Sequence, residues 1–454
     1  MNFHSLEFLI FLPVVFVLHW VLPHRFRWAL LLGASSLFYF WWNFWTGFLL
    51  VGATLVSWLC GRGIARSQSP YTRRALLVLA LITCLGCLAV FKYAGFFASL
   101  AGLELSLQII LPVGISFYTF QTLSYVIDVY RGQGEESHFG YYALFVSFFP
   151  QLVAGPIERP GRLLPQLKAE RTFSMENLSA GGWLLLEGYF KKVVIADGLA
   201  PFVDQVYAAP GEALGPEIVL ATVLFGLQIY CDFSGYSGIA RGAAQLLGVE
   251  LTENFRRPYE AASIREFWRR WHISLTSWFT DYVYIPLGGN RKGLPRQVVN
   301  LLAVFLLSGL WHGAGWTFLT WGLIHGLYRA AGAVWEHIRG IPEKECRPWA
   351  HIRTFLLVSF PWLFFRAPSM ADVLTLLSRL PTGWGGAFPA LAGTAPLALS
   401  LLCLPLAERL SEQRHQRNWY ASALTVFCAV TAIGTAWLAH LAGGGNNAFI
   451  YFQF

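Results

Sequence analysis

Long apolar blocks separated by short polar or basic segments dominate the pattern along this chain. A helix needs about 20 mainly apolar residues to cross a bilayer, and many of the blocks come close to that length. The pattern predicts an all-α polytopic integral membrane protein with about ten to thirteen membrane-embedded helices, some of them re-entrant or interfacial. The predicted spans are 6–22, 28–44, 46–60, 75–93, 110–128, 139–154, 180–196, 217–235, 298–311, 314–333, 352–366, 395–407 and 420–441.

The composition favours a membrane protein over a soluble one. Of the 454 residues, 56% are hydrophobic and 13% are charged, whereas soluble domains carry about 25% charged residues. The 19 Trp and 37 Phe suit the membrane–water interface. The net charge of +8 comes without a continuous basic tail or a basic–aromatic module. We therefore expect no nucleic-acid partner.

Two basic segments predict the orientation of the chain. PHRFR (23–27) and GRGIARSQSPYTRR (61–74) are separated by two predicted spans, and the WWNFW corner between those spans has no Lys or Arg. Because short cytoplasmic loops are enriched in Lys and Arg, both segments are expected on the cytoplasmic side and the N-terminus outside. The first apolar block resembles a retained span more than a signal peptide, since no small-residue cleavage site follows it. No linker or internal repeat divides residues 1–454, which we interpret as a single membrane domain.

The longest stretch outside the predicted spans, residues 248–297, is dense in Arg and Trp. Ser263 can cap a helix there, with Glu266 three residues later as in a capping box. One face of that helix would be apolar, formed by Ile264, Phe267, Trp268, Trp271, Leu275, Trp278 and Phe279. A polar stripe beside that face would consist of Arg265, Arg269, His272 and Thr276. The spacing predicts one continuous amphipathic helix that lies in the interface or dips into the protein.

Two histidines are candidates for chemistry. His312 lies in FLLSGLWHGAGWTFLTWGLIHGL, where an ionisable ring at membrane depth is costly unless it has a partner or lines a wet cavity. His272 lies on the polar stripe. For each, a histidine hydrogen-bonded into a helix junction is the structural alternative. His325, thirteen residues after His312, is interpreted as structural because a continuous helix would place it on nearly the opposite side.

Several common catalytic signatures are absent from the sequence. It contains no HExxH, no P-loop and no dinucleotide-binding GxGxxG. Cys84-x-x-Cys87 has metal or redox spacing but lies in an apolar run without a second pair, so both cysteines are interpreted as packing residues. We predict no metal site.

Several motifs together resemble the membrane-bound O-acyltransferase (MBOAT) family, and most closely its bacterial alginate O-acetyltransferase-like branch. They are LPVGISFYTFQTLSYVIDVYRG, FPQLVAGPIERP, DFSGYSGIARG, ENFRRPY, FWRRWHISLTSWFTDYVYIPLGG, LSGLWHGAGWTFLTWGLIHG and the terminal NNAFIYFQF. The resemblance runs from near residue 105 to the last residue. It implies a bowl of helices with a catalytic histidine deep in a transmembrane tunnel. That histidine maps onto His312, and the second functional polar residue maps onto His272.

The chemistry that the resemblance implies is acyl transfer from a cytosolic thioester such as acetyl-CoA to a hydroxyl, with no bound cofactor. His312 is the candidate general base, because a neutral imidazole can accept the hydroxyl proton. His272 would donate a hydrogen bond to the thioester carbonyl or hold the acceptor. Both are therefore the candidate catalytic residues of an O-acyltransferase.

Further residues are candidates for substrate binding: Arg265, Arg269, Trp268, Trp271, Trp311 and Asp232. The two arginines would attract CoA phosphates, with membrane anchoring and pairing to Glu260 or Glu266 as the alternative. The tryptophans would wall the tunnel and exclude water. Asp232 would orient a histidine or bind a cation, and pairing with a nearby Arg or Lys is its structural alternative.

The branch works in the bacterial cytoplasmic (inner) membrane with a separate extracytoplasmic partner. We accordingly expect an extracytoplasmic acetyltransferase or SGNH-hydrolase-like protein as partner, besides membrane lipid, and an exported polysaccharide as the final acceptor. D-alanyl transfer to teichoic acid is the alternative reaction. A polytopic transporter or flippase without acyl chemistry, or an inactive scaffold, is the alternative in another class.

Overall fold

The structure, a computed structural model, describes residues 1–3, 5–103, 111–153, 155–340, 348–386, 404 and 408. Within these ranges every regular element is helical, which confirms the predicted all-α class. The chain forms two compact units, one of Met1–Leu185 with Tyr236–Glu253 and one of Leu186–Gly235 with Asn254–Phe454. The predicted spans 395–407, apart from position 404, and 420–441 lie outside the described residues, as does the terminal NNAFIYFQF.

The helices follow one another through both units. In the first unit lie α1 (Leu6–Val21), α2 (His24–Phe40), α3 (Phe44–Arg66), α4 (Pro70–Leu88), α5 (Ala94–Leu100), α6 (Ile115–Tyr130), α7 (Phe139–Ser147), α8 (Phe149–Leu152) and α9 (Pro160–Lys168). The residues of α10 (Met175–Tyr189) and α12 (Gly215–Leu246) divide between the units, and α11 (Asp197–Ala208) lies in the second. The second unit also holds α13 (Ile264–Arg270), α14 (Ile273–Phe279), α15 (Leu294–His312), α16 (Trp316–Arg339), α17 (Pro348–Arg366) and α18 (Met370–Arg379).

Side-chain caps explain where several helices of the first unit begin. The Ser5 hydroxyl accepts from Phe8 N–H, and the Asn43 side chain accepts from two N–H groups of α3. Ser69 caps α4, whose first residue is a proline. At α6, Gly114 precedes the helix with φ +75°, a conformation that favours glycine.

Four helical segments are long and apolar enough to cross a membrane, considering the described residues only: Phe44–Arg66, Pro70–Leu100, Gly215–Leu246 and Leu294–His312. In Pro70–Leu100, where a π-helical turn joins α4 to α5, only 17% of the apolar window is buried. Such a large exposed apolar surface is what lipid covers. The total of ten to thirteen embedded helices stays a prediction.

Several predicted boundaries were wrong. α3 continues to Arg66, so Arg62 and Arg66 lie on the last turns of a helix rather than in a loop. α12 continues eleven residues beyond the predicted end at 235, to Leu246. Both extensions carry polar residues, so a search for apolar runs ends before them. Their backbone nevertheless continues the hydrogen bonding of the helix.

The predicted continuous helix over 263–279 is also wrong. α13 ends at Arg270 and α14 begins at Ile273, and His272 between them has left-handed backbone angles, φ 44° and ψ 54°. The N–H of Ile273 donates to the carbonyl of Asn254 instead of to the carbonyl four residues earlier, as it would in a continuous helix. Arg265, Arg269, His272 and Thr276 therefore do not form a single stripe on one helix.

The predicted start of this segment is confirmed. The Ser263 hydroxyl accepts from Glu266 N–H at 3.2 Å. In return the Glu266 carboxylate accepts from the N–H of Ala262, one residue before the cap, rather than from Ser263. The capping box is thus present in a shifted form.

Glycines bring α15 and α16 into close backbone contact. A Cβ added at Gly309 would clash with the carbonyl oxygen of Phe318, and one at Gly322 would clash with that of Phe305. Small residues let helices approach in this way in membranes, where packing replaces the hydrophobic driving force. The close approach holds the last turn of α15, which carries His312, against α16.

Replacing Gly322 with valine should therefore destabilise the protein. The added side chain meets backbone rather than a flexible side chain, so we expect the free energy of unfolding to fall by about 1–3 kcal/mol. Thermal unfolding in detergent measures the change. Gly33→Ala on α2 is the control, because nothing lies within 4 Å of its added Cβ and alanine favours a helix. Equal stability of the two variants would contradict the close approach.

Candidate functional site

The two candidate catalytic histidines meet in the second unit. His312 is the last residue of α15, and His272 occupies the junction between α13 and α14. Their ring centroids lie 6.5 Å apart. Both side chains are buried, with 3% and 1% of their surface exposed. The structure thus brings together two residues forty positions apart in the chain.

Aromatic rings surround both imidazoles. The Trp311 ring centroid lies 4.9 Å from that of His312 and 6.0 Å from that of His272. Trp321 and Phe365 pack edge-on against His312, with centroids 5.0 and 5.4 Å away. The site is consequently apolar around two polar rings, a setting in which hydrogen bonds and partial charges interact strongly.

His272 has its own aromatic contact and a shifted protonation equilibrium. Phe233 packs edge-on against it at 4.6 Å. α13 and α14 contain seven residues each and are too short to cross a membrane. Burial lowers the pKa of His272 to about 3. The ring is therefore neutral near pH 7, with one nitrogen able to donate a hydrogen bond and the other able to accept one.

The three predicted tunnel tryptophans differ in their distance from this pair of rings. Trp311 contacts both histidines, as described above. Trp268 packs against Trp321 at 5.8 Å, and Trp271 packs against Trp362 at 5.1 Å. All three belong to one aromatic cluster of the second unit, and their roles in substrate binding stay predictions.

The two predicted phosphate-binding arginines have different surroundings. Arg265 is half-buried and forms an ion pair with Glu336 of α16, so the alternative pairing with Glu260 or Glu266 was wrong. Those two carboxylates pair instead with Arg257 and Arg270, at three- and four-residue spacing. Arg269 is exposed. The error arose because sequence spacing identifies neighbours within a helix but not neighbours on another helix.

Asp232 forms the ion pair that was its structural alternative. Its Oδ1 lies 2.6 Å from Nζ of Lys192, which also lies 2.8 Å from Oδ1 of Asp197. The side chains of Asp232 and Lys192 are 4% and 2% exposed. A buried lysine shared by two carboxylates holds the residue before Phe233, and Phe233 contacts His272. A role for Asp232 in substrate binding stays a prediction.

Sequence reasoning missed this lysine and its neighbour. Nζ of Lys191 lies 2.8 Å from Oε1 of Glu187 and 2.8 Å from Oε1 of Glu408. Lys191 and Lys192 both lie in a π-helical turn, Phe190–Ala196. A signal was present, because two lysines inside the apolar block 180–196 are ionisable residues at membrane depth. π-helical turns are frequent at functional sites. Trp321 and Phe365 were also missed, and only the tertiary packing reveals them.

His325 lies on α16 beside the same cluster. It is fully buried, with Trp268 and Trp321 each 5.0 Å from its ring centroid. Among the residues that the structure describes, neither ring nitrogen has a hydrogen bond. The interpretation of His325 as structural stays a prediction.

Comparison with known proteins identifies the class. Residues 132–369 match the MBOAT, membrane-bound O-acyltransferase family, and this range includes both histidines. The chain is 40% identical to the probable alginate O-acetylase AlgI of Azotobacter vinelandii, over 82% of this chain and 76% of that protein. It is 36% identical to the peptidoglycan O-acetyltransferase of Helicobacter pylori, over 82% and 77%. A teichoic acid D-alanyltransferase of Streptococcus thermophilus is 28% identical over 51% and 59%.

The chain therefore belongs to the membrane-bound O-acyltransferase family, as its motifs indicated. It is a multi-pass membrane protein and an O-acyltransferase. The bowl and the tunnel that the resemblance implies stay predictions.

Removing the shared lysine should destabilise the second unit. Lys192→Met leaves Asp197 and Asp232 without their common cation, and breaking a buried pair in this way costs about 3–5 kcal/mol. Thermal unfolding in detergent measures the loss. Lys292→Met is the matched control, because Lys292 is exposed and its replacement should change stability by less than about 0.5 kcal/mol. Similar unfolding of both variants would show that the buried pair contributes little.

Proposed function

We propose that this protein is an O-acetyltransferase that takes acetyl from acetyl-CoA on the cytosolic side and passes it towards hydroxyls of an exported polysaccharide. O-acetyltransferase activity is what the names of its relatives support. The observation that carries the proposal is the pair of buried imidazoles, 6.5 Å apart in an aromatic cluster. Acyl transfer to a hydroxyl is accelerated by a general base at the attacking oxygen and a hydrogen-bond donor at the carbonyl oxygen, and two neighbouring imidazoles can supply both.

His312 is assigned as the general base. The acceptor oxygen attacks the thioester carbonyl carbon while one ring nitrogen of His312 takes the hydroxyl proton. The C–S bond then breaks, and the same proton passes to the departing sulfur, so an ester and a thiol are formed. A positioned base of this kind contributes about 10²–10⁴ in rate.

His272 is assigned as the donor to the carbonyl oxygen. Because its ring is neutral, it can donate one hydrogen bond to the negative charge that develops as the acceptor attacks. The aromatic shell of Trp311, Trp321, Phe233 and Phe365 keeps water away from the thioester, which water would hydrolyse. The second unit thus supplies both the polar imidazoles and the aromatic side chains that surround them.

Basic side chains support a polyanionic donor such as CoA. Arg269 is exposed on α13, and Arg291 and Lys292 are exposed shortly before α15. Arginine and lysine bind phosphate groups through charge-assisted hydrogen bonds. On this proposal these residues attract CoA phosphates at the cytoplasmic mouth, in a bacterial inner membrane with the N-terminus outside.

The relatives support a polysaccharide acceptor. The two more similar proteins are named for O-acetylation of alginate and of peptidoglycan, both of which are polymers with free hydroxyls. We propose that the acetyl group emerges on the outer side of the membrane. An extracytoplasmic acetyltransferase or SGNH-hydrolase-like partner completes its transfer to the polysaccharide there. D-alanyl transfer to teichoic acid is the second candidate, because D-alanyltransferases match about half of this chain.

His312→Ala should strongly slow the release of CoA. Purified protein in vesicles would receive radiolabelled acetyl-CoA, and free CoA and transferred label would be followed. We expect the rate to fall by about 10²–10⁴, with His272→Ala also impaired. His337→Ala is the matched control because His337 is exposed on the same helical hairpin.

The outcomes of this experiment separate the alternatives. Equal release by wild type and folded His312→Ala would remove the catalytic assignment. Transfer of D-alanine from a carrier-protein thioester, without use of acetyl-CoA, would favour the second candidate. Substrate movement with an intact thioester would indicate a transporter.

The proposed donor side requires a defined topology. Reporters fused after Trp42 and after Gln68 would fall on opposite sides of α3. We expect alkaline phosphatase to be active at the first position and a fluorescent protein to fluoresce at the second, since the positive-inside rule favours a cytoplasmic location for the basic end of α3 and the start of α4. The reversed pattern would contradict the proposed orientation.

A further inference from the structure

The backbone of His272 is unusual for its residue type. Among the residues that the structure describes, only Arg257 and His272 are non-glycine residues with positive φ, 43° and 44°. Left-handed conformations are unfavourable for residues with a Cβ and persist only where the surroundings hold them. His272 is also a candidate catalytic residue, so what holds it bears directly on the site.

Asn254 supplies the contacts that follow this strained residue. Its backbone carbonyl accepts from Ile273 N–H at 2.9 Å, and its side-chain Oδ1 accepts from Ser274 N–H at 3.2 Å. These are the first two N–H groups of α14, which have no partner within their own helix. Asn254 is only 1% exposed. A residue eighteen positions earlier than His272 therefore caps the helix that His272 precedes.

A second backbone contact shows how the left-handed turn arises. Arg256 N–H donates to the carbonyl of Arg270 at 3.0 Å. Between this hydrogen bond and the one from Ile273 N–H to the Asn254 carbonyl, the first segment advances two positions, from 254 to 256. The second segment advances three positions, from 270 to 273. In paired β-strands, an extra residue between two such bonds forms a bulge. Here the extra residue is accommodated by the left-handed turn at His272.

The His272 side chain makes no capping bond to α14, although it occupies the cap position. Where a helix start has a side-chain cap, the residue in that position commonly supplies the acceptor itself. Because Asn254 provides the acceptors instead, the imidazole is directed to Phe233 and His312, with centroids 4.6 and 6.5 Å away. We propose that Asn254 is a positioning residue, which caps α14 in place of His272 and so holds the His272 ring beside His312.

The first test of this inference does not depend on activity. Asn254→Ala removes Oδ1 and leaves Ser274 N–H without its acceptor. Hydrogen exchange of a peptide covering 272–279, followed by mass spectrometry, should become faster by about 10-fold or more at one amide. Asn254→Asp keeps an acceptor oxygen and should retain protection. Unchanged exchange in Asn254→Ala would overturn the inference.

A matched control separates this effect from the general loss of a buried asparagine. Asn300 is also 1% exposed, and its Nδ2 donates to the carbonyl of Gly289 at 2.9 Å. Asn300→Ala should leave exchange of 272–279 and the transfer rate unchanged. If Asn254→Ala does not fold, Asn254→Leu fills the same space without an acceptor and takes its place. An equal effect of Asn300→Ala on exchange of 272–279 would count against the inference.

The second test uses kinetics and rests on the proposed function. Asn254→Ala should lower kcat by about 10- to 100-fold with little change in KM, because the donor ring is misplaced rather than the substrate released. Asn254→Asp should recover most of the rate. In a His272→Ala background, Asn254→Ala should cause no further loss, since the two residues act as a unit.

The outcomes distinguish the two proposals. Additive losses in the double variant would show that Asn254 acts independently of His272 and would overturn its positioning role. If the wild-type protein released no CoA, the proposed function would fail, while the exchange experiment would still decide whether Asn254 caps α14.

Discussion

The cost of placing polar groups in apolar surroundings is the constraint on which this structure depends. Ring nitrogens, ammonium groups and carboxylates are expensive to bury unless they are paired. The second unit buries the His272 and His312 rings among aromatic side chains, and it places two carboxylates within 2.8 Å of Lys192. The charge of Lys192 is thus neutralised beside the histidines, and the polar ring nitrogens of the histidines lie in an aromatic setting. On the proposed mechanism, this arrangement lets the two imidazoles act in a dry site.

Close packing of the helices fixes the positions of these side chains. The glycine contacts between α15 and α16 bring two backbones together, so Trp321 of one helix reaches His312 at the end of the other. Rigid rings then limit the orientations open to the imidazole. Catalysis by a general base depends on such placement, because a small displacement of the base lowers the rate strongly.

The break at His272 illustrates where a local pattern is not enough. The apolar spacing from Ile264 to Phe279 fits a single helix, yet the chain turns at His272 because Asn254 accepts the next two N–H groups. Hydrophobic periodicity describes which residues face a core. It carries no information about a backbone acceptor contributed by a distant segment, and that acceptor decides the direction of the ring.

We could predict from the sequence the membrane class, the all-α fold, the family, the cap at Ser263 and the two candidate residues His312 and His272. These depend on composition, apolar length, local spacing and motifs, all of which are properties of short stretches. The packing of the helices was needed to show that Arg265 pairs with Glu336, that Asp232 pairs with Lys192, and that Trp321 and Phe365 enclose His312. The physical reason is that each of these contacts joins different helices, whose relative placement follows from packing over many residues rather than from any one segment.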